Sequence, residues 1–327
     1  MLIKTPSRLH IALIDLNGSY ARIDGGIGLT LENPKFILEA EPSDATAIEF
    51  AKTISNCPER SACIGKVTAA TEKIISHFSL EEGYHFTVHQ LYPAHSGLGS
   101  GTQMSLAAGK LITEQIGETI SSVELATIIG RGGTSGIGVH AFDHGGFIAD
   151  GGHSCKEKKT FMPSSASDAN PPLLLGRYEF PEDWGVLLAI PNKGACFSGK
   201  EELDIFQTHC PLPRHDVEQV SHLIFMNLIP FLLEKDIESF GHVLDQIQAT
   251  GFNKVELTLQ PPEVTNLMNA MRDAGAFGVG ISSFGPAVFT VYDRSNQDIV
   301  ASTREYLGDG GMVIATKAQN HGAEIFR

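Results

Sequence analysis

The segment at residues 93–103, PAHSGLGSGTQ, sets glycines at 97, 99 and 101 among hydroxyl side chains. Glycine carries no side chain to hold an anion away, and it tolerates the positive φ angles that turn successive amides to one side. A helix opening near Thr102 would add unpaired amides and the positive end of its dipole. Ser96, Ser100 and Thr102 add hydroxyl donors, and Leu98 adds its amide. The whole run Ser96, Gly97, Leu98, Gly99, Ser100, Gly101, Thr102 therefore has the chemistry of a phosphate cradle. Its spacing is neither the GxxxxGK[ST] phosphate loop nor a GxGxxG within a βαβ unit.

The elements that must position this loop can be read from the pattern of the chain. Residues 84–92 alternate around Phe86 and Val88 and predict a strand ahead of the loop; residues 102–117 predict a helix behind it. Residues 2–14 predict a strand. Asp24-Gly25-Gly26 predicts a hairpin turn leading into the strand IGLTLE. Residues 43–55 and 60–78 have helical spacing. Ser121 through Glu124 forms a capping box that opens another helix. Positions 130–152 hold nine glycines in twenty-three residues, which marks tight turns or close backbone approach. Residues 156–183 are polar and rich in Ser and Pro and predict a connector. Beyond it, a buried strand is expected at 185–191, helices near 199–208, 215–234, 236–249, from Pro262 onward and near 295–307, and strands at 288–292 and 312–316. The irregular order predicts an α+β fold in two domains, 1–165 and 183–327, joined by a connector at 166–182.

Composition excludes several classes. The chain has 327 residues, 42% of them hydrophobic, and a formal net charge of −14. An acidic protein of this kind repels nucleic acid and anionic membrane, so neither is expected as a partner. Five cysteines, an odd number without a CxxC pair, predict a reducing compartment and neither a disulfide framework nor a zinc site. Nothing resembling a signal peptide opens the sequence, and the longest apolar runs, such as residues 223–233, are too short to cross a bilayer. A cytoplasmic protein is expected.

PAHSGLGSGTQ resembles the central phosphate-loop motif of the GHMP kinase superfamily, and GAFGVGISSFGPAVF at 275–289 resembles its C-terminal glycine-rich motif. Within that superfamily, TPSRLHIALIDLNG at 5–18, GGIGLTLE at 25–32, GRGGTSGIGVHAFDHGGFIADGGH at 130–153 and GISSFGPAVF at 280–289 together resemble the β-ribofuranosylaminobenzene 5′-phosphate synthase family. The resemblance covers nearly the whole chain. It implies a two-domain GHMP-kinase-like fold, each domain a mixed sheet packed with helices. It also implies condensation of 5-phosphoribosyl 1-pyrophosphate with 4-aminobenzoate, or 4-hydroxybenzoate in some members, with loss of CO2 and pyrophosphate, in methanopterin biosynthesis. Many kinases of the superfamily place a base aspartate in a Ser-Gly-Ile-Asp segment; here Ser135-Gly136-Ile137-Gly138 has glycine at that position. An ATP-dependent small-molecule kinase is the competing expectation, and a ligand-binding protein that kept the fold is the third.

For the implied reaction, the glycine loop would hold the departing pyrophosphate. Arg8 and Arg131 would clamp anions through two parallel hydrogen bonds. Among the thirteen histidines, His95 beside the loop and His10 beside Arg8 are the candidates to donate to the ring substituent or to protonate the leaving group. Asp15, Gly280, Ser282 and Ser283 would line the substrate cleft. Mg²⁺ is the expected cofactor, with Asp15, Asp24 and Asp150 as its candidate ligands; Asp24 and Asp150 precede Gly-Gly pairs and are also turn formers. The expected partners are a phosphorylated ribose donor and a small aromatic acid, and a homodimer is the expected assembly.

Overall fold

The computed structural model describes residues 1–54, 57–93, 96–164, 166–195, 197 and 199–327. One sheet takes strands β1 (Leu2–Asp15), β2 (Arg22–Ser43), β3 (Ala47–Phe50), β4 (Gly83–Gln90), β5 (Phe147–Asp150), β6 (His153–Ser154) and β7 (Leu174–Tyr178), and, from the far end of the chain, β12 (Glu324–Phe326). The second sheet takes β8 (Gly185–Pro191), β9 (Val279–Ile281), β10 (Val288–Tyr292) and β11 (Gly311–Lys317) in the order β11-β8-β10-β9, antiparallel throughout. In the first sheet the order is β12-β1-β2-β4-β3, and only the β3–β4 pair is parallel. The helices are α1 (Arg60–Phe78), α2 (Ser100–Gln115), α3 (Ser122–Ile129), α4 (Ile137–His144), α5 (Lys200–His209), α6 (Arg214–Leu223), α7 (Ile229–Glu234), α8 (Ile237–Gln248), α9 (Gly251–Thr258), α10 (Pro262–Asp273) and α11 (Ile299–Leu307). This is the expected α+β architecture.

Strand β8 shows why the two sheets share a core. Val186, Leu188 and Ile190 join the large core with β1, β2, α1 and α2, while Leu187 and Ala189 face α10 with Val264, Leu267 and Met271. A strand covered on both faces reads as an unbroken apolar run, as GVLLAIP does. None of the helices is long and apolar enough to cross a membrane among the described residues.

Four local expectations fail for physical reasons. The turn between β1 and β2 falls at residues 16–21, because Asp24 and Gly25, both at positive φ, are accommodated inside β2 rather than ending it. Within residues 43–54 the expected helix gives way to a strand, since Ala47–Phe50 completes the open edge of β4, and only Lys52–Ile54 makes a single 3₁₀ turn; residue 55 lies outside the described residues. The presumed connector at 166–182 contains β7, which hydrogen-bonds to β5. Chain beyond the second sheet returns to the first as β12, pairing Leu2 with Phe326, so residues 183–327 do not all pack as one unit.

Strand β1 carries the segment that matters most. Register shifts between Thr5 and Ser7 and between His10 and Ala12 bracket Ser7–His10, and such irregularities re-aim side chains locally. The Arg8 amide donates to the Leu98 carbonyl at 3.1 Å, so the phosphate-loop segment lies directly against β1.

Candidate active site

The glycine segment follows β4 and runs into α2. Gly99, in the left-handed conformation, is the N-cap and offers no side chain to cap the helix. The amides of Thr102 and Gln103 bond to the Gly99 carbonyl, and among the described residues those of Ser100 and Gly101 have no such partner. The first amides of a helix always lack intrahelical acceptors, so here they are open to a ligand. Gly97 also has a left-handed φ of +82°; a Cβ there would stand 2.0 Å from the Ser282 carbonyl oxygen.

A cleft of about 430 Å³ opens over this helix start. Arg8, His10, Arg131, Ser283 and the whole run Gly97–Thr102 line it, as the sequence predicts. Ser96 is buried beneath it, its hydroxyl donating to the Pro93 carbonyl at 2.7 Å. His95 lies outside the described residues. Ser282 is fully buried and supports the wall instead of lining it: its Oγ accepts from the His10 amide at 3.0 Å and donates to the Gly97 carbonyl at 2.8 Å. Gly280 sits away from the cleft in β9, against Phe289 and Gln248, where a Cβ would clash.

The cationic wall is largely unpaired. Arg131 and Lys66 have no ion-pair or side-chain hydrogen-bond partner among the described residues, and a Cβ on Gly101 would lie within 3.6 Å of both. Repulsion from Arg131, then burial, lowers the Lys66 pKa, and burial lowers that of Arg131. Glu202 draws the Lys66 pKa the other way, and the two neighbouring cations together place positive charge on this side of the cleft. Arg8 differs from the expected anion clamp: its Nη1 donates to the Gly97 carbonyl, and its buried Nε has no partner. Burial brings its pKa down to about 10. It therefore braces the loop as well as charging the cleft.

Burial, and secondarily Arg8, pushes His10 down to about 3, so His10 is neutral near pH 7 and the role of a charged acid is closed to it. Its Nε2 lies 3.1 Å from Ser135 Oγ, which donates onward to Asp150 Oδ2 at 3.3 Å. Asp150 also accepts from the Gly136 and Gly152 amides at 2.9 and 3.0 Å. When Ser135 donates to an ionised Asp150, Nε2–H donates to Ser135 and the lone pair of His10 falls on Nδ1; protonation of Asp150 allows the reverse direction. Burial raises Asp150 to about 7, against the pull of the two amides.

The three carboxylates expected to bind Mg²⁺ do not fit it. Asp15 Oδ1 accepts from the Asn17 and Gly18 amides at 2.8 and 2.9 Å, building the β1–β2 turn outside the cleft. Asp24 is sealed in, with Oδ2 bonded to His153 Nδ1 at 2.6 Å and Lys158 Nζ at 2.9 Å. Asp150 is committed to the chain just described. No group of three His, Cys, Asp or Glu side chains among the described residues is arranged to hold a metal.

Sequence reasoning missed Lys66, Ser135, Glu202, Glu256 and an apolar wall of Phe197, Phe206 and Phe284, all of which line the cleft. Ser135 lay inside the glycine-rich motif and was within reach of that signal. Phe284 likewise lay inside the C-terminal glycine-rich motif, next to Ser283, whereas Lys66, Phe197, Glu202, Phe206 and Glu256 sit on ordinary helices and loops outside any motif.

The fold and site together define the class. Models of the GHMP kinase N-terminal domain and of the GHMP kinase C-terminal domain match residues 65–147 and 228–305. Solved structures with the same fold include a homoserine kinase from Cytophaga hutchinsonii (TM-score 0.66, 16% identity, covering 99% of this chain and 97% of that one) and the mevalonate kinase of Methanococcus jannaschii (TM-score 0.67, 12% identity, covering 98% of each). Closer in sequence are two curated relatives, each named β-ribofuranosylphenol 5′-phosphate synthase. The one from Methanothermobacter thermautotrophicus is 47% identical over 100% of this chain and 99% of its own length; the one from Methanocaldococcus jannaschii is 44% identical over 100% of both. The chain belongs to the β-ribofuranosylphenol 5′-phosphate synthase family, within the GHMP kinase superfamily.

Proposed function

We propose that this protein condenses 5-phosphoribosyl 1-pyrophosphate with a para-substituted benzoate, releasing CO2 and pyrophosphate and forming a β-C-riboside 5′-phosphate for methanopterin biosynthesis. The relatives' name describes a ribose phosphate joined to a phenol, which favours 4-hydroxybenzoate as acceptor over 4-aminobenzoate. The observation that carries the reading is a single cleft in which Arg131, Lys66 and the α2 amides lie together with the Phe197, Phe206 and Phe284 wall. Such a cleft suits a polyanionic donor beside an aromatic acceptor.

In this reading the Ser100 and Gly101 amides, the Thr102 hydroxyl, Arg131 and Lys66 take the pyrophosphate and its growing charge. The anomeric bond breaks through an oxocarbenium-like state, so fixed cations and amides supply most of the catalysis. An α donor giving a β product needs one inverting displacement. Neutral His10, oriented by Ser135, offers a hydrogen-bond acceptor to the substrates. No step is assigned to a metal. Gly138 lines the cleft beside Thr102, so no carboxylate stands there to deprotonate a kinase's acceptor hydroxyl.

The test is release of labelled CO2 from carboxyl-labelled 4-hydroxybenzoate or 4-aminobenzoate in the presence of 5-phosphoribosyl 1-pyrophosphate, with and without Mg²⁺. Folded protein that releases none from either acid overturns the proposal.

A further inference from the structure

Glu256 is 4% exposed yet lines the cleft, and among the described residues no hydrogen bond or ion pair holds its carboxyl. It lies one helical turn beyond Phe252 on α9, so the two share a face. Phe252 is packed against Phe206 and Phe284, with ring centroids 4.9 and 5.8 Å away, and Phe197 lies 5.8 Å from Phe284. Two residues past α9, Gln260 donates to the Phe284 carbonyl at 2.6 Å and fixes that end of the wall. The result is an aromatic pocket with one unpartnered carboxyl, a costly arrangement unless a ligand supplies the missing partner.

Charge sets the direction of the ligand. Glu256, with Glu202 on α5 adding to the repulsion, disfavours phosphate and carboxylate beside it, while Arg131, on which no carboxylate acts, favours them; Lys66 stands in the field of both Arg131 and Glu202. A para-substituted benzoate would thus turn its carboxylate away from Glu256 and its para group towards it. That orientation presents ring carbon 1, the attacking atom, to the donor.

We propose that Glu256 receives the para substituent of the aromatic acceptor, accepting its hydrogen bond and holding its proton during attack. This rests on the synthase reading given above. As carbon 1 bonds to the anomeric carbon, the bond to pyrophosphate breaks and its electron pair leaves with that group. The hydroxyl proton passes to the Glu256 carboxylate. The carbon 1–carboxylate bond then breaks, its electrons restore the ring, CO2 departs, and the para oxygen regains its proton from Glu256. Burial, reinforced by Glu202, raises the Glu256 carboxyl to about 8, close to the range of a phenol, which suits proton exchange between them. Arg8, His10, Lys66 and Arg131 are the other ionisable groups of the cleft. On the adjoining α6 and α8, Arg214, His215, Glu218, His222 and His242 are exposed, Asp216 is half-buried, and Asp245 is bound by Arg272.

The experiment compares wild type and Glu256→Gln with 4-hydroxybenzoate across pH 5.5–9. Wild-type kcat/KM should rise towards pH 8. Glu256→Gln should lose about 100-fold or more, lose that rise, and keep its KM for the phosphoribosyl donor. The inhibitor 4-methoxybenzoate, which has no proton to give, should bind the variant at least as well as wild type. Glu256→Asp, an independent check should the Gln variant misfold, should retain the pH rise at a reduced rate. A Gln variant within threefold of wild type, with the same pH profile, overturns the assignment. Wild type that releases no CO2 overturns instead the synthase reading beneath it.

Discussion

The hydroxyl of Ser282 donates to the carbonyl of Gly97 at 2.8 Å, across 185 positions of sequence. The two glycine motifs are thereby one structure. The Ala287 amide bonds to the Ser96 carbonyl at 3.3 Å and the Ser283 amide to the His10 carbonyl at 2.9 Å, so the C-terminal loop is stitched to both β1 and the phosphate loop. The shape of the cleft depends on this seam.

Gly97→Ala should break the seam. Its Cβ would meet the Ser282 carbonyl oxygen at 2.0 Å in a backbone conformation that alanine resists. Loss of measurable CO2 release and a clear drop in the urea midpoint are expected. Ser282→Ala is the milder change: it strands the buried His10 amide and leaves the Gly97 carbonyl to Arg8 alone, at a cost of about 1–3 kcal/mol, read as a lower midpoint with partial activity.

Arg131→Ala should raise the KM for the phosphoribosyl donor about 10- to 100-fold, the worth of a charge-assisted hydrogen bond. Because Arg131 is the main cause of the lowered Lys66 pKa, removing it should also return that pKa towards its ordinary value. Steady-state kinetics and NMR titration of the lysine amine check the two outcomes. An unchanged donor KM would remove Arg131 from the anion site.

Lys158→Met should destabilise the fold by about 3 kcal/mol, since it leaves the buried Asp24 carboxylate with His153 alone where two partners held it. Lys158 also donates to the Gly133 carbonyl and Thr134 Oγ1, both at 2.9 Å, and so holds the segment that follows Arg131. A lower urea midpoint should therefore come with a higher donor KM, as measured by denaturant unfolding and kinetics on one preparation.

Glu256→Gln should be more stable than wild type at high pH. The carboxyl titrates at about 8 in the folded protein against an ordinary 4.5, so the folded state holds its proton more tightly. Stability that is fully present below pH 4.5 is lost as pH rises through 8. The Tm of the variant minus that of wild type should grow across this window and then level off. A constant difference would mean that the carboxyl is not buried in solution.

How legible was the site? The glycine loop was plain in GLGSG, because a tight turn into a helix start needs backbone freedom at fixed local spacing. Arg8, His10, Arg131 and Ser283 were found through motifs and do meet in the cleft. The aspartates misled: Asp15, Asp24 and Asp150 stand in motifs as Mg²⁺ ligands would, yet each satisfies a turn, a buried ion pair or a hydrogen-bonded chain. A motif records that a carboxylate is needed, and the partner that explains the need is set by packing.

By itself the sequence determined the α+β class, the order of most elements, the glycine loop ahead of α2 and the family, because periodicity, glycine spacing and capping are local. Tertiary structure alone decided that Lys66 joins Arg131, that Ser282 supports the cleft without lining it, and that Glu256, unpartnered among the described residues, stands beside a phenylalanine wall. Those contacts span long stretches of chain, and their energies come from desolvation and charge proximity, which exist only once the chain has closed on itself.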